Sequence, residues 1–309
     1  MMKPKPLKKG DTIGLIAPSS PVGRSKAQAC IDWVIAMGYR VKWGESIFGE
    51  RGYLSGSDEL RAYDINSMFG DKEVDAVFCI RGGYGSMRLL DKLDYELIRN
   101  NPKIFIGFSD ITALHTAFYQ KTDLITFHGP MVAGYAKKNL DSLSRDYMDR
   151  ALMKAEPLGE IINPPDIPIK AYNGGCASGK LVGGNLSLLA DTMGTPYEID
   201  TKGKILLIEE VEERPYKIDR MLLQLKLGGK FKDAAGIVIG DWAGCVPEEG
   251  KESLAIEEII EDIVVPCGKP ILSGYKIGHC TPNITVPIGA EACIDCSDIR
   301  FAITEAAVY

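Results

Sequence analysis

The stretch IFIGFSDITALHTAF, from Ile104 to Phe118, puts a serine, Ser109, where an apolar run stops and a helix-like pattern starts. Gly107 stands two residues before it and Asp110 just after. A serine hydroxyl is a poor nucleophile until a base takes its proton, and the base works best when a third group orients it. A tight strand-to-helix turn lifts the hydroxyl clear of a sheet and leaves the N–H groups of the helix start for a developing oxyanion. The same placement fits a helix N-cap equally well, and the second glycine of G-x-S-x-G is missing. A second glycine-rich turn, RGGYG from Arg81 to Gly85, also follows an apolar run. Its glycines let backbone N–H groups approach a ligand, as an oxyanion hole or anion nest, and also suit a plain tight turn. It matches neither G-x-G-x-x-G nor a Walker A sequence.

Three histidines compete for the role of base. His115 lies inside the helical pattern after Ser109 and reads as a packed or surface residue. His128, in FHGPM, follows a strand. His279, in GHCTPN, sits in a loop whose Gly, Thr, Pro and Asn allow irregular backbone; loops after strands concentrate catalytic residues, which favours it. For the orienting acid, LLIEEVEERP ends an apolar strand with Glu209 and Glu210, which alternation places on opposite faces. An ordinary acidic strand exit gives the same pattern.

These residues need a scaffold. The 309 residues are 45% hydrophobic and 25% charged, enough for a sizeable core and for two domains. The net charge of -6 argues against a nucleic-acid partner, which calls for a basic face. The N-terminal apolar run IGLIA is too short for a signal peptide, and no segment approaches a membrane span, so a cytoplasmic protein is expected. The eight cysteines read as free thiols. The spacing of Cys293 and Cys296 in CIDC suits a strand, where residues three apart face opposite sides, and no second CxxC completes a metal site.

Apolar strand-like runs alternate with helical patterns along the first half: DTIGLIAP, SKAQACIDWVIAMG, YRVKW, SDELRAYDINSMFG, VDAVFCI, SMRLLDKL, KIFIGFS, DITALHTAFYQ and LITFHG. The expected class is α/β: an N-terminal, largely parallel open sheet flanked by helices, plus a second, smaller α/β domain. Ligands of such sheets bind at the C-terminal ends of strands, where RGGYG and GFSD both fall. The Pro-, Gly- and Asn-rich stretch EIINPPDIPIKAYNGGCASGK reads as a linker, giving domains of residues 1–165 and 166–309.

GFSDITALH, RGGYG, LVGGNLSLLADTMGTP, EEVEERPYKIDRMLLQL and GHCTPNITVPIG occur in one order across essentially the whole chain. Together they resemble the LD-carboxypeptidases, serine peptidases that include muramoyl-tetrapeptide carboxypeptidases and microcin C immunity proteins. The resemblance implies a Ser-Glu-His triad of Ser109, Glu209 and His279, with the serine in the first domain and the other two in the second. It implies an oxyanion hole from the backbone N–H of Asp110 and one from the RGGYG turn, for which Gly83 is chosen. The substrate would be a murein tetrapeptide losing its terminal D-Ala, with no metal or cofactor, in a homodimer. Arg81, Tyr84, Glu210 and Arg220 are substrate-binding candidates, and Arg214 and Lys217 are further cations for the D-Ala carboxylate. The immunity-type branch, hydrolysing peptidyl or aminoacyl adenylates, is the alternative; it carries a longer insertion where only Tyr197 to Ile208 separate Pro196 from Glu209 here. A non-catalytic peptide- or nucleotide-binding protein is a second alternative. A Cys-dependent amidotransferase is disfavoured because serine holds the nucleophile position.

Overall fold

The computed structural model describes residues 1–136 and 140–309. They form two compact units. The first comprises Met1–Glu156, Ile284–Gly289 and Ala306–Tyr309; the second comprises Pro157–Asn283 and Ala290–Glu305.

In the first unit, β1 (Thr12–Ile16), β2 (Arg40–Trp43), β3 (Ala76–Cys79), β4 (Ile104–Gly107) and β5 (Thr126–His128) make a parallel sheet in the order β5-β4-β3-β1-β2. The strand Val286–Ile288 adds an antiparallel edge beside β5. AVFC and IFIG are apolar and wholly buried because central parallel strands are covered on both faces, whereas RVKW lies at the opposite edge and is partly exposed. The helices are α1 (Arg24–Ala36), α2 (Asp58–Gly70), α3 (Tyr95–Asn100), α4 (Thr112–Thr122), α5 (Val132–Tyr135) and α6 (Ser142–Met153). Side-chain caps fix several starts: Ser57 Oγ accepts from Leu60 N at 3.2 Å, and Asp94 and Asp141 do the same for α3 and α6.

The second unit carries β6 (Pro157–Glu160), β7 (Lys170–Tyr172), β8 (Cys176–Asn185), β9 (Ile205–Val211), β10 (Gly236–Ala243) and β11 (Ile271–Ser273). With the Val286–Ile288 strand numbered β12, β13 (Glu291–Asp295) and β14 (Arg300–Ala306) complete it. The order is β6-β14-β13-β8-β9-β10-β11-β7, with β8 to β11 parallel and antiparallel additions at β13 and β7. Its helices are α7 (Leu186–Asp191), α8 (Pro215–Leu227), α9 (Lys230–Asp233) and α10 (Ile256–Ile263). Among the described residues no helix is long and apolar enough to cross a membrane.

The α/β class and the two sheets agree with the sequence reading. Three local expectations differ. The linker-like stretch supplies β7, at the sheet edge, and the start of β8, because alternation between exposed and half-buried positions suffices for a strand. The compact units accordingly divide at residues 156 and 157 rather than 165 and 166, and two late segments return to the first unit. SMRLLDKL yields only a 3-10 turn, Ser86–Leu89, with Arg88 directed to Asp58.

Candidate active site

The Ser109 turn is strained backbone. Ser109 has φ 65°, a left-handed conformation that costs a non-glycine residue about 1–3 kcal/mol and persists only where the surroundings hold it. The chain leaves β4 at Gly107, turns through the 3-10 segment Ser109–Ile111 and enters α4. A Cβ on Gly107 would meet Ile111 and Cys79 at 2.9 and 3.1 Å, so the glycine permits the sharp turn. From beneath, the buried His115 ring holds the same carbonyl: Nε2 lies 2.8 Å from Gly107 O and Nδ1 2.8 Å from Thr126 Oγ1. Nε2 must donate to a carbonyl, so Nδ1 accepts the threonine proton. Burial pushes the His115 pKa down to about 4, keeping the ring neutral.

The RGGYG turn packs directly on this serine. A Cβ at Gly82 would stand 3.0 Å from Ser109 Cβ and 3.2 Å from its Oγ. Gly83 has φ 113°, and a side chain there would run into Ser20. Asp110 ties the two turns together: its buried carboxylate accepts from Ser86 N at 2.8 Å and Ser19 Oγ at 2.5 Å, while its carbonyl accepts from Ser86 Oγ at 2.5 Å. Ser20 Oγ accepts from Tyr84 N at 3.1 Å. Among the described residues the backbone N–H groups of Asp110 and Gly83 make no hydrogen bond, which leaves both available to an oxyanion.

The second unit builds an acid–imidazole pair. Glu209, on β9 and with no solvent exposure, accepts from His279 Nδ1 through Oε2 at 2.7 Å, leaving Nε2 as the basic nitrogen. The loop closes tightly on it: Gly278 has φ 112°, and any side chain there would strike the Glu209 carboxylate. Gly278 N donates to Asn283 Oδ1 at 3.2 Å. Cys280 is no rival nucleophile, since burial, aided by Asp241, pushes its thiol up to about 12.

Glu210 points the other way. Its carboxylate accepts from Asn185 Nδ2 and Ser187 N at 2.8 Å and from Ser187 Oγ at 2.7 Å, fastening the start of α7, and burial raises its pKa. His128 is fully buried on β5 near Phe108 and His115. Arg81 is exposed and donates to Pro21 O at 2.8 Å; Tyr84 is exposed and meets Tyr53 edge to face at 5.5 Å. Arg214 donates to the Val246 and Pro247 carbonyls, Lys217 pairs with Glu213, and Arg220 lies over Tyr216. Sequence reasoning passed over Ser19, Ser20, Ser86 and Arg61. The serines of APSSP follow the first strand as RGGYG and GFSD follow theirs, which was a usable signal; the arginine gave none.

Comparison with known proteins accords with this geometry. Residues 13–129 match the LD-carboxypeptidase N-terminal domain and residues 178–294 the LD-carboxypeptidase C-terminal domain. The chain is 45% identical over 315 residues to a probable murein peptide carboxypeptidase of Bacillus subtilis, covering 99% of this chain and 95% of that one. Among solved structures it is similar to microcin C7 self immunity protein MccF, with TM-score 0.91, 26% identity and all of both chains covered. It is also similar to a muramoyltetrapeptide carboxypeptidase from Oxalobacter formigenes, with TM-score 0.81, 27% identity, and 95% and 99% of the two chains covered. With both halves matched in order and a relative this similar over its whole length, the chain belongs to the LD-carboxypeptidase family of peptidases and is a carboxypeptidase of that family.

Proposed function

We propose that the enzyme releases the terminal D-Ala of a murein tetrapeptide by acyl transfer through Ser109, with His279 as base and Glu209 orienting it. The observation that carries this reading is the strained Ser109 turn, flanked by two backbone N–H groups without partners among the described residues. His279 Nε2 takes the Ser109 proton and the hydroxyl attacks the scissile carbonyl. The Asp110 and Gly83 amides hold the oxyanion, and His279 returns the proton to the leaving amine. Water then attacks the acyl-enzyme by the same route. Glu209 keeps the imidazole in the productive tautomer and stabilises its charged form. Arg81, which directly precedes the Gly82–Gly83 turn, is the preferred anchor for the D-Ala carboxylate, as a charge-assisted pair. The reaction is read as cytoplasmic, on soluble muropeptide, and the assembly as a homodimer, following the family resemblance.

Likeness to MccF favours a second reading, hydrolysis of an aminoacyl or peptidyl adenylate. The name of the Bacillus subtilis relative and the short Tyr197 to Ile208 connection favour the murein substrate. Mass spectrometry of free murein tetrapeptide, incubated with wild type and with Ser109→Ala, separates the two. Loss of one D-Ala with wild type and a fall of about 10⁴-fold or more in the variant is expected. No loss with wild type, together with cleavage of an aminoacyl adenylate, would replace this reading by the second.

A further inference from the structure

Arg61 lies on α2 at a position that belongs to the helix's buried face, with Ala62, Ile65, Met68 and Phe69. Its side chain has no solvent exposure. Nη1 donates to two carbonyls from different loops, Pro18 O and, at 2.9 Å, Gly85 O. Nη2 donates to Asp58 Oδ1 at 2.5 Å, and Nε has no partner among the described residues. Asp58 is shared with Arg88, whose Nη2 lies 2.7 Å from Asp58 Oδ2.

Stability alone explains this arrangement poorly. A guanidinium is costly to remove from water, and an apolar side chain of similar volume commonly serves a core position as well or better. What the guanidinium does, and an apolar group cannot, is fix two carbonyls relative to each other. Pro18 opens the loop whose next residues, Ser19 and Ser20, bond to Asp110 and to Tyr84 N. Gly85 closes the RGGYG turn, and a side chain on it would meet Arg61 Nη1 at 2.9 Å.

We propose that Arg61 is a positioning residue of the carboxypeptidase reaction, its buried fork clamping the Pro18 and Gly85 carbonyls so that the turn between Arg81 and Ser86 presents the Gly83 amide beside Ser109. The proposal rests on the reading of Gly83 and Asp110 as oxyanion donors. Misplacing such a donor weakens transition-state binding more than ground-state binding, so the loss falls on kcat.

The test uses Arg61→Met, which keeps the volume without the fork, and Arg61→Lys, which keeps the charge with a single donor atom, in case the first variant folds poorly. Two readouts are combined: steady-state D-Ala release, and peptide-level hydrogen exchange across the first unit. The expected result is a fall in kcat on the order of 10- to 100-fold with KM within about twofold. Exchange should accelerate in residues 81–87, where Tyr84 N and Ser86 N are otherwise protected, and not in β1, β3 or β4. Arg61→Lys should fall between wild type and Arg61→Met in both readouts. Wild-type exchange in residues 81–87 of both variants would overturn the proposal, as would equal acceleration throughout the unit, the mark of a residue serving stability alone. Inactivity of wild type on the tetrapeptide would overturn the substrate reading instead, and the exchange pattern would still decide whether Arg61 shapes the turn.

Discussion

The two halves of the proposed triad are built by different means. Around Ser109 the proposed chemistry rests on the backbone: a serine at φ 65°, glycines that leave no room for side chains, and two amides with no partner among the described residues. Around His279 it rests on side chains: a fully buried carboxylate on a strand, with Gly278 at a place where any side chain would strike that carboxylate. The difference follows from the task. A nucleophile and its oxyanion donors must converge on one reacting carbon, which strained turns achieve; a base needs a fixed tautomer, which one short hydrogen bond supplies.

The acid side gives the largest expected effect in this contrast. Glu209→Gln should lower kcat on the order of 10⁴-fold by losing the partner that orients His279, the scale seen when a triad acid is neutralised. Glu210→Gln should leave the rate within about fivefold and instead lower stability by about 1–3 kcal/mol through the α7 contacts. An inactive Glu210→Gln beside an active Glu209→Gln in the tetrapeptide assay would reverse the assignment.

On the backbone side, Gly83→Ala forces a side chain toward Ser20 at a positive φ. It should cost on the order of 10²-fold in kcat, the scale of one oxyanion donor, with KM little changed. A loss confined to KM would show that the turn binds substrate without serving the oxyanion.

How far these features could be read beforehand depends on whether they are local. Ser109, Gly83 and His279 announce themselves by glycine and turn chemistry within a few residues of sequence. The choice between Glu209 and Glu210 was open, because alternation says that they diverge but not which face holds the histidine; both are in fact buried, on opposite faces. Arg61 was illegible, since an arginine in a helical pattern reads as solvated and only the Pro18 and Gly85 carbonyls reveal otherwise. The strand β7 was hidden for a related reason: proline and glycine around it mark irregular backbone, and a strand at a sheet edge tolerates it.

A smaller effect concerns the support beneath the turn. Burial holds His115 neutral down to about pH 4, whereas an unfolded chain protonates it near its ordinary value of 6.5. Between those values the unfolded state binds the extra proton, so the contribution is complete above pH 6.5 and is lost as pH falls toward 4. It amounts to on the order of 3 kcal/mol. Tm measured against pH should lose part of its acid slope in His115→Leu; an unaltered slope would assign the acid sensitivity to other groups. The smallest expected effect is that of Ser109→Gly. Relieving the positive φ should raise stability by about 1 kcal/mol, seen as a higher Tm than that of Ser109→Ala, which keeps the strain. Equal Tm values would place the strain elsewhere.

The central claim is that a strained serine in one unit and an acid–imidazole pair in the other act on a single reaction. It is tested most directly by kcat/KM for D-Ala release from wild type, Ser109→Ala, His279→Ala and the double variant. Residues that work as one device are not additive, so the account predicts that the double variant is no slower than the slower single one. Losses that multiply, or a His279→Ala enzyme with the wild-type rate, would contradict it.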